Sequence, residues 1–306
     1  MSAPGAPVPP RRITPLATPT YAPVGSGFPL AEPALVALVR AALEEDRAFD
    51  DVTTISTVVS TRHARAALVA RTPGTLAGIP LALAAFRLLD THVEIRVDAE
   101  DGTRVARGDT VLHLSGPARG LLSAERVALN FVQRLSGVAT LTARYVAAVQ
   151  GARTVIVDTR KTTPGWRDLE KYAVRCGGGR NHRRDLSDAV LIKDNHIAAC
   201  DGDVAVAVAR ARSHVPAGLL IQVECDTVAQ VRAAVAAGAD ALLLDNMGPA
   251  LLRECVQVAK GHCWTEASGG VTLETVRAIA EAGVDRISIG ALTHSAPALD
   301  LALDFE

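Results

Sequence analysis

The chain is poor in what many binding functions require. Aromatic residues make up 3% of its 306 residues, too few for the stacking platforms of single-strand nucleic-acid binders. Neither charge dominates. The net charge is −1, so no basic field exists to draw in nucleic acid or a membrane surface. Mean hydropathy is slightly positive at +0.21, yet no uninterrupted apolar run approaches the ~18 residues of a membrane-spanning helix. The five cysteines (Cys176, Cys200, Cys225, Cys255 and Cys263) are an odd set without a C-x-x-C pair. That argues against a disulfide framework or a zinc site and suits reduced thiols in a cytoplasm. What is plentiful is apolar side chain, 49% of the sequence, enough for a substantial core in about two domains of ~150 residues.

The first 28 residues carry prolines at 4, 7, 9, 10, 15, 19 and 23. Such density blocks helix and central strand, and the reading is a disordered tail. Arg11 and Arg12 lack the apolar stretch that an export signal needs.

From Leu30 to about Ser123 the pattern is mixed. Helical periodicity over Glu32–Asp46 and Ile79–Leu89 alternates with strand-like runs at Arg65–Arg71, Val93–Asp98 and Arg104–Leu114. Glycines 74, 102, 108 and 116 punctuate them as turns. A helical stretch follows from Ala124 to about Val149. Six short apolar runs come next: 154–157, 189–192, 220–223, 241–244, 263–265 and 287–289. Helical patterns at 204–215, 228–237, 249–259 and 273–282 separate the last five. Apolar strands alternating with helices indicate a parallel sheet, and a spacing of about 22 residues suits a closed α/β barrel. The expected architecture is therefore an N-terminal α+β module followed by a parallel α/β barrel.

In such barrels the strand C-termini open on one face, where the active site sits. The residues following the six runs are Asp158-Thr159-Arg160-Lys161, Lys193-Asp194-Asn195-His196, Glu224, Asp245-Asn246, Glu266 to Gly270, and Gly290. Strand ends meeting water would explain one or two polar termini, not six bearing Lys and Arg. Between Arg153 and Lys193 there are ten Lys or Arg against five Asp or Glu, and three of the four lysines lie there. A charge run is ordinarily a solvated face. Placed at strand ends beside Gly177-Gly178-Gly179, where small residues admit a ligand, it reads as a site for a small, highly anionic molecule. Ser268-Gly269-Gly270 and Gly290 with His294, after the last two strands, suggest a phosphate cradle. Glu224 and Asp245 could pair with the cations, bind sugar hydroxyls or hold Mg²⁺.

The stretch DTRKTTPGWRDLEKYAVRCGGGRNHRRDLSDAVLIKDNHI, Asp158 to Ile197, resembles the signature of the quinolinate phosphoribosyltransferases. The resemblance extends to Asp51–Thr54, Glu125–Asn130, Ser136–Thr140, Val223-Glu224, Leu244–Asn246, Glu266–Gly270 and Ile287–Gly290. It implies an N-terminal α/β sandwich domain over residues 29–128, joined by 293–306, and an incomplete parallel α/β barrel of six or seven strands over 129–292. It also implies a homodimer, or a higher oligomer built on it, in which one subunit's sandwich covers the other's barrel mouth. The implied reaction joins quinolinate to phosphoribosyl pyrophosphate, with Mg²⁺, giving nicotinate mononucleotide, carbon dioxide and pyrophosphate in the cytoplasm. By this resemblance Arg126 (across the dimer), Thr159, Arg160, His182, Arg183 and Lys193 bind quinolinate. Lys161, Glu224 and Asp245 are catalytic and, with Ser268, Gly269, Gly270, Gly290 and His294, bind the phosphoribosyl donor; Glu224 and Asp245 also serve the metal. Where the family commonly has Glu-Val-Glu, this chain has Gln222-Val223-Glu224, which could weaken a charge near the sugar. Cys176 reads as a small packed residue. The alternatives are transfer to a related aromatic carboxylate, an aldolase with Lys193 as Schiff-base lysine, and, on the basic patch alone, a nucleic-acid role.

Overall fold

The computed structural model describes residues 27–306, and the reading of a disordered tail falls, up to residue 26, outside the described residues. The tail's expected end at residue 28 moves back: the Phe28 ring packs edge-on against Tyr172, 5.2 Å between centroids, and Arg175 donates to the Gly27 carbonyl.

Helix α1 (Glu32–Glu45) starts at a proline in its first turn and buries Val39 and Leu43. The short α2 (Val52–Thr57) is capped by Asp51, whose carboxylate accepts from Thr54 N–H at 3.0 Å and from Ser123 Oγ at 2.9 Å, the cap geometry that satisfies free N–H groups. Strand β1 (His63–Ala70), the two-residue β2 (Gly74–Thr75), helix α3 (Ile79–Leu89) and strand β3 (Glu94–Val97) follow. The single strand expected over Arg104–Leu114 is two, β4 (Arg104–Val105) and β5 (Thr110–Pro117). Gly108, at φ 93°, turns the chain between them. Helix α4 (Ala118–Ala148) runs 31 residues, about 46 Å at helical rise. It begins six residues before the expected Ala124, because it grows directly out of β5 without a capping signal. Strand β6 (Val155–Val157) and helix α5 (Arg167–Cys176) come next.

The α/β alternation then follows: β7 (Val190–Ile192), α6 (Asp194–Ala198), α7 (Val204–His214), β8 (Ile221–Cys225), α8 (Val228–Ala236), β9 (Ala241–Asp245), α9 (Pro249–Ala259), β10 (Trp264–Ser268), α10 (Val276–Ala280) and β11 (Arg286–Ser288). Asp203 caps α7 through two backbone N–H groups, and Thr227 with Gln230 forms a capping box on α8. A last turn of helix, α11 (Ala291–His294), leads to β12 (Leu301–Phe305).

The parallel sheet has the order β6-β11-β10-β9-β8-β7. It does not close by pairing β7 with β6, and the only neighbour beyond β6 among the described residues is a single bridge, Val157 to Arg180. This is an incomplete barrel of six strands plus one vestigial pairing. Ile221, Val223, Leu242, Leu244 and Ile287, all at most 1% exposed, form an apolar layer on one face of this sheet, each contributing roughly 1.5–3 kcal/mol on burial; Gln222 and Glu266 alternate with them and face the other side. The other sheet is antiparallel, in the order β12-β1-β5-β3. Behind it lie Leu68, Leu81, Phe86, Leu112 and Leu121, fully buried.

The described residues form two compact units. One holds Ala148–Val155 and Arg183–Ile289; the other holds the described residues through Ala147, Ile156–His182 and Gly290–Glu306.

Candidate active site

In the barrel unit the site residues sit where the strands end. Lys193 follows β7 and Glu224 is the fourth residue of β8. Since Ile192 is in register with Val223, the next residues face each other, and Lys193 Nζ lies 3.1 Å from the Glu224 carboxylate. A residue assigned to quinolinate and one assigned to ribose are thus in direct contact. The lysine remains half-exposed at 48%, and its backbone N–H donates to His196 Nδ1 at 3.0 Å. Arg183 donates to the Ala189 carbonyl at 2.8 Å. On the neighbouring pair, Asp245 and Ser268 are partners in register. Asn246, in left-handed conformation at φ 53°, donates its N–H to the Ser268 carbonyl at 2.9 Å and its side chain to Asp245 Oδ2 at 2.6 Å. A Cβ on Gly269 would fall 2.1 Å from Asn246 Oδ1, so the loops after β9 and β10 interlock only because Gly269 has no side chain. Gly270 follows in the same left-handed region, φ 57°.

Gln222 does not reach this face. It is 1% exposed and its amide donates to Glu266 Oε2 inside the barrel at 3.4 Å.

In the other unit, Asp158 to Lys161 continue β6. Thr159 Oγ1 accepts the Lys161 N–H at 3.0 Å. Arg160 is half-buried, and its Nε is buried with no hydrogen-bond partner among the described residues, a state in which a charged donor is costly unless a ligand satisfies it. The Lys161 side chain lies over Gly290: a Cβ there would meet Lys161 Cδ at 2.9 Å and His294 Nε2 at 3.2 Å. Three expected donor-binding residues are therefore together. The Lys161 carbonyl accepts from Thr293 Oγ1 at 2.7 Å. The loop beyond it is held by Glu170, fully buried, which accepts from Thr163 N–H (3.0 Å), Thr163 Oγ1 (2.8 Å) and Arg134 (3.1 Å).

Two expectations are corrected here. Lys171 is not a ligand-facing cation: it is 4% exposed and its Nζ is 2.5 Å from Asp158 Oδ1. Burial pushes the Asp158 carboxyl up; the Lys171 charge and donors from His182 and Asn181 oppose that. Nor does the glycine triplet face a ligand. A Cβ on Gly177 would lie 2.3 Å from the Ala139 carbonyl of α4, and one on Gly179 2.7 Å from Thr142, so the triplet lets the backbone seat against α4.

Arg126 is exposed on α4 and has no ion-pair partner among the described residues. It lines a cavity of about 700 Å³ with Asp46, Asp51, Val52 and Ser123. Sequence reasoning marked Asp158 and Asn246 as strand-end residues without giving either a role, and passed over Asn181 and Glu170, which act through partners distant in sequence.

An incomplete α/β barrel whose strand ends present lysine–carboxylate contacts, an unsatisfied guanidinium and glycine-permitted loops defines an enzyme of small anionic substrates. The chain belongs to the quinolinate phosphoribosyltransferase family: its residues 51–136 match the family's N-terminal domain and 138–304 its C-terminal domain. It is 45% identical over 260 residues to the probable carboxylating nicotinate-nucleotide pyrophosphorylase of Bacillus subtilis, covering 85% of this chain and 89% of that one. The Mycobacterium leprae enzyme of the same name is 43% identical over 274 residues, covering 87% and 95%. The solved nicotinate-nucleotide pyrophosphorylase of Francisella tularensis superposes with a TM-score of 0.85 at 36% identity, covering 91% and 98%.

Proposed function

We propose that this protein transfers the phosphoribosyl group of phosphoribosyl pyrophosphate to quinolinate, with loss of carbon dioxide, to form nicotinate mononucleotide in NAD biosynthesis. The observation that carries the reading is the packing of Lys161 over Gly290 beside His294, a cation, an imidazole and open backbone where a phosphosugar needs all three. Quinolinate has two adjacent carboxylates on a pyridine. Arg160, whose Nε lacks a partner, Arg183 and Arg126 offer guanidinium forks for them, and Thr159, His182 and Lys193 add further donors. Ser268, Gly269, Gly270, Gly290 and His294 take the 5′-phosphate.

The pyridine nitrogen forms a bond to the anomeric carbon as the bond to pyrophosphate breaks. Positive charge develops on the ribose and negative charge on the departing oxygens. Lys161 neutralises the latter, while Glu224 and Asp245 lie ready for the ribose hydroxyls and its cationic character. The quaternised ring nitrogen then accepts the electron pair released when the adjacent carboxylate departs as carbon dioxide, and a proton takes its place.

No group of three or more His, Cys, Asp or Glu that could hold a metal exists among the described residues, and Glu224 is already engaged by Lys193. The donor set thus fits an Mg²⁺ that arrives on pyrophosphate oxygens, with Asp245 and Glu224 to hold it. Bound there, Mg²⁺ would neutralise leaving-group charge.

The same reading makes the protein a homodimer with shared sites. Its support is the apolar surface of α2 and the turns on either side of it, where Val52 is 77% exposed, Ile55 50%, Val59 68% and Phe49 43%, beside the Arg126 cavity. Patches of this kind mark protein contacts. No helix among the described residues is long and apolar enough to cross a membrane, and five free thiols favour a cytoplasmic enzyme.

The test is an assay for nicotinate mononucleotide from quinolinate, phosphoribosyl pyrophosphate and Mg²⁺. Wild type should form it, and Lys161→Ala, correctly folded by circular dichroism, should lose roughly 10²-fold or more in turnover. Product from a pyrimidine carboxylate but not from quinolinate would overturn the assignment.

A further inference from the structure

Asp158 and Lys171 form a buried ion pair for which phosphoribosyl transfer has so far found no use. Asp158 is 0% exposed and Lys171 4%. Buried pairs of this kind seldom repay their desolvation in stability, so their remaining bonds are informative. Asp158 Oδ1 also accepts the His182 N–H at 2.8 Å, and Lys171 Nζ also donates to the His182 carbonyl at 3.1 Å. Both backbone polar groups of one residue are therefore held by opposite ends of one ion pair. Asn181 completes the arrangement. Its amide donates to Asp158 Oδ2 at 2.5 Å and to the Lys171 carbonyl at 2.8 Å, and Arg175 donates to its oxygen at 2.8 Å.

Between α5 and β7 the chain forms neither helix nor strand, apart from the Arg180 bridge to β6. There Arg180 N–H donates to the Ile156 carbonyl at 2.9 Å and Asp158 N–H to the Arg180 carbonyl at 3.1 Å. Two residues beyond that bridge, charge takes over from sheet pairing as the means of fixing the backbone.

We propose that Asp158 and Lys171 are positioning residues for quinolinate capture: together they clamp the His182 backbone and so fix where its imidazole is presented to a substrate carboxylate. The proposal rests on the reading of His182 as a quinolinate-binding residue. A displaced binding group costs affinity for the molecule it contacts and leaves other binding events alone.

The test uses the full chain with Asp158→Asn, Lys171→Met and the double variant, which leaves no unpaired buried charge. Melting temperature and KM for each substrate are measured beside His182→Ala. The expected result is a KM for quinolinate raised roughly 10- to 100-fold with the KM for phosphoribosyl pyrophosphate within about 2-fold. Adding His182→Ala to Asp158→Asn should then cost much less than it does in wild type, since the side chain is already misplaced. Equal changes in both KM values, full additivity with His182→Ala, or loss of folding in all three variants would each make the pair purely structural and overturn the proposal. Inactive wild type would instead defeat the functional assignment, so the two failures are told apart.

Discussion

Lys171 and Lys193 show how differently one residue type is used. Lys171 is 4% exposed and locked to Asp158, whereas Lys193 is 48% exposed and touches Glu224 at the open end of β8. Counting charges along the chain gives the two equal weight, because the partner that disarms Lys171 lies 13 residues away across a turn and a helix. The thiols sort in the same manner. Cys176, Cys225, Cys255 and Cys263 are buried and Cys200 is half-buried. Burial pushes Cys176 and Cys225 up to about 12 and Cys263 to about 11. At pH 8 a disulfide reagent should therefore modify Cys200 within minutes and the others only after denaturation, counted by absorbance and mass. Two or more fast thiols would contradict the burial. The sign of the pH dependence follows. The unfolded thiols ionise near their ordinary value of 9.0 and the folded ones later. Stability from these groups is complete below about pH 9 and drains away towards pH 12, a decline that alkaline denaturant titrations should register.

The barrel strands were legible as elements because a strand covered on both faces is a continuous apolar run with a polar stop. Where two signals compete, the sequence misleads. Gly108 splits Arg104–Leu114 into separate strands, and α4 starts early at Ala118 because the strand before it delivers the chain already in place of a cap. The site's polar stops were legible too, but not their mutual fit, which depends on side chains from neighbouring loops. Gly269 is the clearest case. It appears as one glycine in a pair, yet Asn246 fills the space where its Cβ would be. Gly269→Ala should displace Asn246, release Asp245 and raise the KM for phosphoribosyl pyrophosphate roughly tenfold or more, while costing about 1–3 kcal/mol of stability at its left-handed φ. Gly248→Ala, with open space around it and φ −72°, is the control and should behave as wild type in kinetics and melting. Equal behaviour of the two variants would show that the β9 and β10 loops do not depend on this contact.

At the scale of the assembled molecule the decisive residue is Arg126, exposed on a long helix beside an uncovered apolar face. If it serves the partner's substrate, Arg126→Ala and Lys193→Ala subunits, each inactive alone, complement one another. Random exchange gives half heterodimers with one intact site of two, so mixing restores about a quarter of wild-type activity. Mass measurement confirms the exchange; activity that stays at the mutant baseline in exchanged dimers refutes the shared site. The strand order of the antiparallel sheet has a consequence of another kind. β12 pairs with β1 from Ala66 opposite Phe305 to Ala70 opposite Leu301, and Arg71 reaches Asp304 across 233 residues. The chain's last strand is thus the neighbour of its first. During synthesis the edge of β1 that β12 covers stays bare until residues 301–305 have been made, more than 230 positions later, so the antiparallel sheet is completed only after every strand of the parallel sheet exists.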